Sequence, residues 1–123
     1  MNPFGYSEAV WRLFNETPKS GTLQGPGVLS AEASTPANRN RVRLQAKMSG
    51  SRIDEARFQA YGCPTTIAVG AWLAGWAVGR GIEELARIDA KSIREALEIP
   101  EDRTHCALMG EDVLKSLLGQ IAR

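Results

Sequence analysis

The chain has 123 residues, 43% of them hydrophobic and 24% charged, which suits one folded domain over 1–123 and excludes a disordered chain. Lys and Arg number 15 against 14 Asp and Glu, so the net charge is +1, and bulk electrostatic capture of nucleic acid or of an anionic membrane is not expected. Two cysteines, Cys63 and Cys106, and one histidine, His105, are too few for a disulfide-stapled secreted scaffold.

No basic stretch followed by an apolar run opens the sequence, so a reducing cytoplasm is expected. Tyr6 to Asn15 reads as a short helix, with Val10, Leu13 and Phe14 at helical spacing, Ser7 as cap and Glu8 in the first turn. Pro18 ends it, and Thr17 to Gly27 reads as a loop. Val28 to Ala33 is a weak strand candidate. Arg41 to Met48 is a clear one, because Val42, Leu44, Ala46 and Met48 alternate with Arg41, Arg43, Gln45 and Lys47. After a Ser49-Gly50-Ser51 turn, Ile53 to Ala60 alternates again, with Ala56, Phe58 and Ala60 on one face. Each strand has one polar face, so the sheet is expected to be covered on one side only.

From Cys63 the period changes. Pro64 to Val78 reads as a helix that is apolar on nearly all sides, hence central. Ala60 to Gly79 carries no charge and contains Gly75-x-x-x-Gly79, as a membrane span would. Its apolar part, Ile67 to Val78, covers only about half a bilayer, so a buried core helix is the reading. Ile82 to Ile88 and Ser92 to Leu97 read as short amphipathic helices, with Pro100 breaking the second, and Cys106 to Ala122 as the last helix. Strands first and helices after give an α+β fold: a three-stranded antiparallel sheet with helices packed on one face.

Both thiols fall at expected helix starts. Cys63 precedes Pro64, which favours the first helical position, and Cys106 opens the last helix behind Thr104 and His105. Free backbone N–H groups and the positive end of the helix dipole favour thiolate there, and thiolates bind soft metals and accept transferred sulfur. The plain alternative is that each cysteine is a small buried hydrophobe. No second spaced Cys pair marks a zinc finger, no Gly-rich loop has phosphate-cradling spacing, and a Cys–His protease would lack an orienting partner for its base. Arg39, Arg41 and Arg43 form a basic row on a solvated strand face. Composition and periodicity stop at a small α+β domain with no visible enzyme constellation.

Three segments carry a resemblance further. Ala56-Arg57-Phe58-Gln59-Ala60-Tyr61-Gly62-Cys63, Thr104-His105-Cys106 followed by Glu111 and Asp112, and Ser34-Thr35-Pro36-Ala37 ahead of Val42-Arg43-Leu44-Gln45 resemble the U-type iron–sulfur cluster assembly scaffolds, the IscU-like family that includes the N-terminal domain of NifU. The likeness runs from Tyr6-Ser7-Glu8 to the final helix. It implies the family fold and a scaffold that takes sulfur from a cysteine desulfurase, combines it with iron, and passes a [2Fe–2S] cluster to apo-proteins, with a chaperone assisting. It implies a metal site of three cysteines, an aspartate and a histidine, of which Cys63, His105 and Cys106 stand here. Where the family reads Pro-Ala-Cys-Gly-Asp, this chain reads Pro36-Ala37-Asn38-Arg39-Asn40, so Asn38 replaces the first cysteine and Asn40 the aspartate. Two lost anions and one gained cation should weaken the hold on Fe²⁺ or Zn²⁺. The chaperone-recognition segment is altered to Ile99-Pro100-Glu101-Asp102-Arg103.

Three readings stay open on these residues. The first is a divergent scaffold in which either a homodimer pools Cys63 and Cys106 from each chain, giving the four thiolates a [2Fe–2S] cluster commonly takes, or His105 or a partner's thiol completes a site within one chain. The second is a zinc-binding or regulatory paralogue that builds no clusters: Cys63, His105 and Cys106 hold zinc, and the chain docks on a desulfurase or accepts a persulfide on Cys106. The third is a structural or interaction protein with a decayed site.

Overall fold

A computed structural model of the chain describes residues 5–35 and 40–121. Helix α1 (Glu8–Glu16) starts where the Ser7 side chain accepts the Val10 N–H at 3.1 Å. The same hydroxyl donates to the Leu97 carbonyl at 2.6 Å, tying the helix start to a segment 90 residues away. Thr17 closes α1 in the left-handed conformation, its N–H reaching the Leu13 carbonyl.

Strands β1 (Leu29–Thr35), β2 (Asn40–Ser49) and β3 (Arg52–Tyr61) form one antiparallel sheet in the order β1-β2-β3. The weak strand candidate is real and runs two residues past Ala33, pairing Thr35 with Asn40. Residues 36–39 lie outside the described residues, and with them Asn38. Val42, Leu44, Ala46, Ala56 and Phe58 are buried on one face, as the alternation required. Ile53 is also buried although it has the opposite parity to Ala56. The register explains this: Lys47 pairs with Glu55 and Met48 with Ile53, so Asp54 is an extra residue and the bulge returns Ile53 to the core side.

The rest is helical: α2 (Pro64–Ala77), α3 (Ile82–Leu85), α4 (Ala90–Leu97), a single 3-10 turn (Glu101–Arg103) and α5 (Thr104–Ile121). Helix α3 ends at Leu85, shorter than expected, leaving Ala86, Arg87 and Ile88 outside it, and α4 begins at Ala90 because Asp89 accepts the Ser92 N–H at 2.8 Å as its cap. Helices α2 and α5 lie on the apolar face of the sheet, and the buried side chains of α1, α2, α4, α5 and the sheet form one continuous core. Ala68, Val69, Ala71, Leu73, Ala74 and Ala77 of α2 are all buried, so the charge-free run is a core helix. No helix among the described residues is long and apolar enough to cross a membrane.

Two local devices set the position of α5. A Cβ on Gly110 of α5 would stand 2.7 Å from Val69 Cγ1 and 3.0 Å from Ile93 Cδ1, so only glycine allows α5 to lie this close to α2 and α4. The Gln120 side chain donates to the Ser30 carbonyl and accepts the Ser30 N–H at 3.2 Å, fastening the far end of α5 to β1.

Candidate metal and sulfur site

The site is built where β3 turns into α2. Gly62 makes that turn at φ +138°, a conformation L side chains rarely adopt, and a Cβ there would run into Asn40 Oδ1. Cys63 follows in extended conformation as the cap of α2, with Pro64 at the first helical position as expected. Its backbone N–H donates to Asn40 Oδ1 at 3.3 Å, and Asn40, 4% exposed, donates its own N–H to Thr35 Oγ1 at 3.3 Å. Asn40 is therefore a support: its amide oxygen holds the backbone of Cys63.

Cys106 comes to the same place from α5, but not as the residue that opens the helix. The 3-10 turn Glu101–Arg103 hands over to α5 at Thr104, whose hydroxyl donates to the Glu101 carbonyl at 2.7 Å. Cys106 thus sits inside the first turn and is fully buried, while Cys63 is half-buried. The two sulfurs are 3.9 Å apart, and Thr66 Oγ1, one turn along α2, lies 3.4 Å from each.

This triangle separates the two thiols chemically. Cys63 is pushed down to about 4, first because Cys106 donates to its sulfur, against the opposing effect of burial, and then through the Thr66 hydroxyl and the N–H groups of Thr66 and Thr65. Those N–H groups favour the thiolate although Cys63 makes no formal side-chain capping bond. Cys106 moves upward, because its proton is committed to Cys63 and because it is buried. The expectation of two thiolates is corrected to one thiolate and one thiol sharing a proton: buried in the first turn of α5, Cys106 gains less from the helix N-terminus than it loses to desolvation and to its anionic neighbour.

An open pocket in front of Cys63 is lined by Asn40, Tyr61, Gly62, Asp102, Arg103 and His105. His105 is half-buried and shares this wall with Cys63. Burial works against the charge on Arg103, but the neighbouring Tyr6, Cys63 and Cys106 outweigh it and strengthen its hold on the proton. Its guanidinium also stacks over the Tyr6 ring at 5.5 Å. Sequence reasoning alone does not mark Thr66 and Arg103 as site residues. The spacing Cys63 to Thr66, one helical turn, is a usable signal for Thr66; Arg103 reaches Cys63 only through tertiary packing.

Among the described residues, no three Cys, His, Asp or Glu side chains are already gathered as a metal group. The pair of sulfurs is nonetheless spaced for one. Two thiolates at about 2.3 Å from a tetrahedral ion stand about 3.8 Å apart, close to the 3.9 Å here.

The profile of the NifU-like N terminal domain family matches residues 5–121. The chain belongs to this family. It is similar to the iron-sulfur cluster assembly scaffold protein IscU of Haemophilus influenzae, 31% identical over 120 residues and covering 92% of each chain. The IscU scaffold protein of Escherichia coli is 30% identical over 116 residues, covering 92% of this chain and 91% of that one. The fold matches the crystal structure of a NifU-like protein (N-terminal) from Brucella abortus with a TM-score of 0.78 at 15% identity, covering 94% of this chain and 92% of that chain. The order of one helix, three antiparallel strands and then helices is thus the NifU-like N-terminal fold, with Cys63, His105 and Cys106 brought to one end of it.

Proposed function

We propose that the chain is an iron–sulfur cluster assembly scaffold whose cargo, iron and sulfide or a [2Fe–2S] cluster, is held by Cys63 and Cys106 with His105 beside them. The observation that carries this reading is the 3.9 Å separation of the two sulfurs at an open pocket, in a chain that belongs to the NifU-like N-terminal family. With two thiolates per chain, a [2Fe–2S] cluster obtains four from a homodimer. Asn40 is turned to the backbone of Cys63 and does not replace the missing carboxylate, which supports sharing of a cluster between chains.

Sulfur comes from a cysteine desulfurase and arrives at Cys63, the thiol that faces the pocket. A reducing cytoplasm keeps both thiols free. The finished cargo passes to apo-protein recipients; at the altered chaperone segment, Ile99 is buried while Glu101 and Asp102 are exposed, so a chaperone meets acidic side chains there. Anaerobic reconstitution with iron and sulfide tests the reading. Visible charge-transfer absorbance in the wild type, absent from Cys63→Ala, supports it, and its absence from the wild type rejects it.

The second reading is a zinc-binding paralogue, favoured by the same sulfur separation, which also suits one Zn²⁺ held by Cys63, His105 and Cys106 with water as fourth ligand. Stoichiometric zinc in the purified protein, together with no cluster on reconstitution, selects it.

A further inference from the structure

A [2Fe–2S] cluster contains sulfide, whereas sulfur handed from one cysteine to another travels as a persulfide, whose outer sulfur must gain electrons before it can leave as sulfide. The chain has two thiols with which to meet that need, and the structure puts them in contact, 3.9 Å apart with Thr66 Oγ1 touching both. They differ in access. Cys63 lines the open pocket, and Cys106 lies behind it with 0% exposure. An accessible thiol backed by a buried one is the arrangement of an accepting and a resolving cysteine.

We infer that the pair is a built-in reductant for delivered sulfur: Cys63 accepts the outer sulfur as a persulfide, and Cys106 then resolves it to a Cys63–Cys106 disulfide with release of hydrogen sulfide. The inference rests on the scaffold reading. In the step, the Cys63 persulfide and the Cys106 thiol become the disulfide and H₂S. Cys106 Sγ forms the new bond to Cys63 Sγ, and the bond from Cys63 Sγ to the outer sulfur breaks. The electron pair of that bond and the Cys106 proton both leave with the outer sulfur. In this step Cys106 Sγ is oxidised and the outer sulfur is reduced to sulfide; over acceptance and resolution together, each cysteine sulfur gives up one electron to the delivered sulfur. One turnover consumes no external electrons, and a dithiol reductant restores the pair by thiol–disulfide exchange.

The geometry asks for little movement. The sulfurs must close from 3.9 Å to the roughly 2.05 Å of a disulfide. The Cys63 backbone is held by Asn40 and by the Ile67 N–H, but its side chain makes no capping bond, so it can turn toward Cys106 while α2 and α5 stay packed.

The test uses the fully reduced chain, freed of other thiols under anaerobic conditions and treated with glutathione persulfide. Sulfide release and intact mass are measured. The wild type is expected to release one equivalent of sulfide above the donor's background, and its mass to fall by two hydrogens. Cys106→Ala is expected to keep one added sulfur on Cys63 and to release none above background. Cys63→Ala is expected to take up no sulfur, because Cys106 is buried. A wild-type persulfide as long-lived as that of Cys106→Ala, with no disulfide, overturns the inference and leaves the scaffold reading standing. A wild type that takes up no sulfur also overturns it, and reconstitution with preformed sulfide then decides the scaffold reading separately. The wild-type mass is sufficient on its own if Cys106→Ala does not fold.

Discussion

Asn40 and Cys63 are joined across the end of the sheet: the Asn40 side-chain oxygen accepts the Cys63 backbone N–H at 3.3 Å, and Gly62 between β3 and α2 leaves the space for it. Asn40→Ala leaves that N–H without its partner and should cost about 1–3 kcal/mol of stability. Asn40→Asp keeps the acceptor but adds a negative charge beside the Cys63 thiolate, so the Cys63 pKa should rise. Denaturant midpoints check the first, and the pH profile of Cys63 alkylation checks the second.

Gly62→Ala should be worse than Asn40→Ala. It forces an alanine to φ +138° and drives its Cβ into Asn40 Oδ1. The backbone conformation alone should cost about 1–3 kcal/mol, and the clash should displace Cys63 as well. A fall in melting temperature together with faster alkylation of Cys106 is the expected pair of results.

The shared proton of the two thiols gives stability a definite pH dependence. The native pair holds one proton from about 4 upward, because Cys63 is lowered and Cys106 raised. Below the ordinary thiol pKa of about 8.5, the unfolded chain holds both protons, so this contribution grows as pH rises. Above about 8.5 the unfolded chain releases both while the native pair keeps one, so the contribution declines. The difference in unfolding free energy between wild type and the Cys63→Ala, Cys106→Ala double variant should therefore peak near that pH. A difference that climbs steadily through the alkaline range contradicts the shared proton.

Helix contacts set the sulfur separation from a distance. Gly110→Ala puts a methyl within 2.7 Å of Val69 Cγ1, so α5 must move off α2, at a cost of about 1–3 kcal/mol. Ser7→Ala removes both the α1 cap and the bond to the Leu97 carbonyl and should cost about 1–2 kcal/mol. Only the glycine change should also reduce metal retention, since only it moves α5.

Local rules carried much of the fold. The alternation of Arg41 to Met48 placed β2, and Ser7 and Pro64 placed two helix starts, because caps and periodicity act over a few residues. The bulge at Asp54 was hidden, since only pairing with β2 shows that Ile53 and Ala56 share a face. Resemblance names Cys63, His105 and Cys106 as the candidate site residues, and the fold brings the two sulfurs within 3.9 Å of each other. What escaped was their inequality: the burial of Cys106 and the bridging of Thr66 arise from the packing of α5 on α2. Asn40 reads from the sequence as a lost ligand, yet its hydrogen bond gives it a structural task. Asn38 lies outside the described residues, and Asn38→Cys combined with Asn40→Asp should raise metal affinity if the loop faces the site.

The most direct measurement is the iron and acid-labile sulfide content of the anaerobically reconstituted chain after gel filtration, beside that of a Cys63→Ala, Cys106→Ala double variant. The account predicts about one iron and one sulfide per wild-type chain, eluting as a dimer with four thiolates around one [2Fe–2S] cluster, and neither in the double variant. Equal iron and sulfide in both proteins, or none in either, would contradict it.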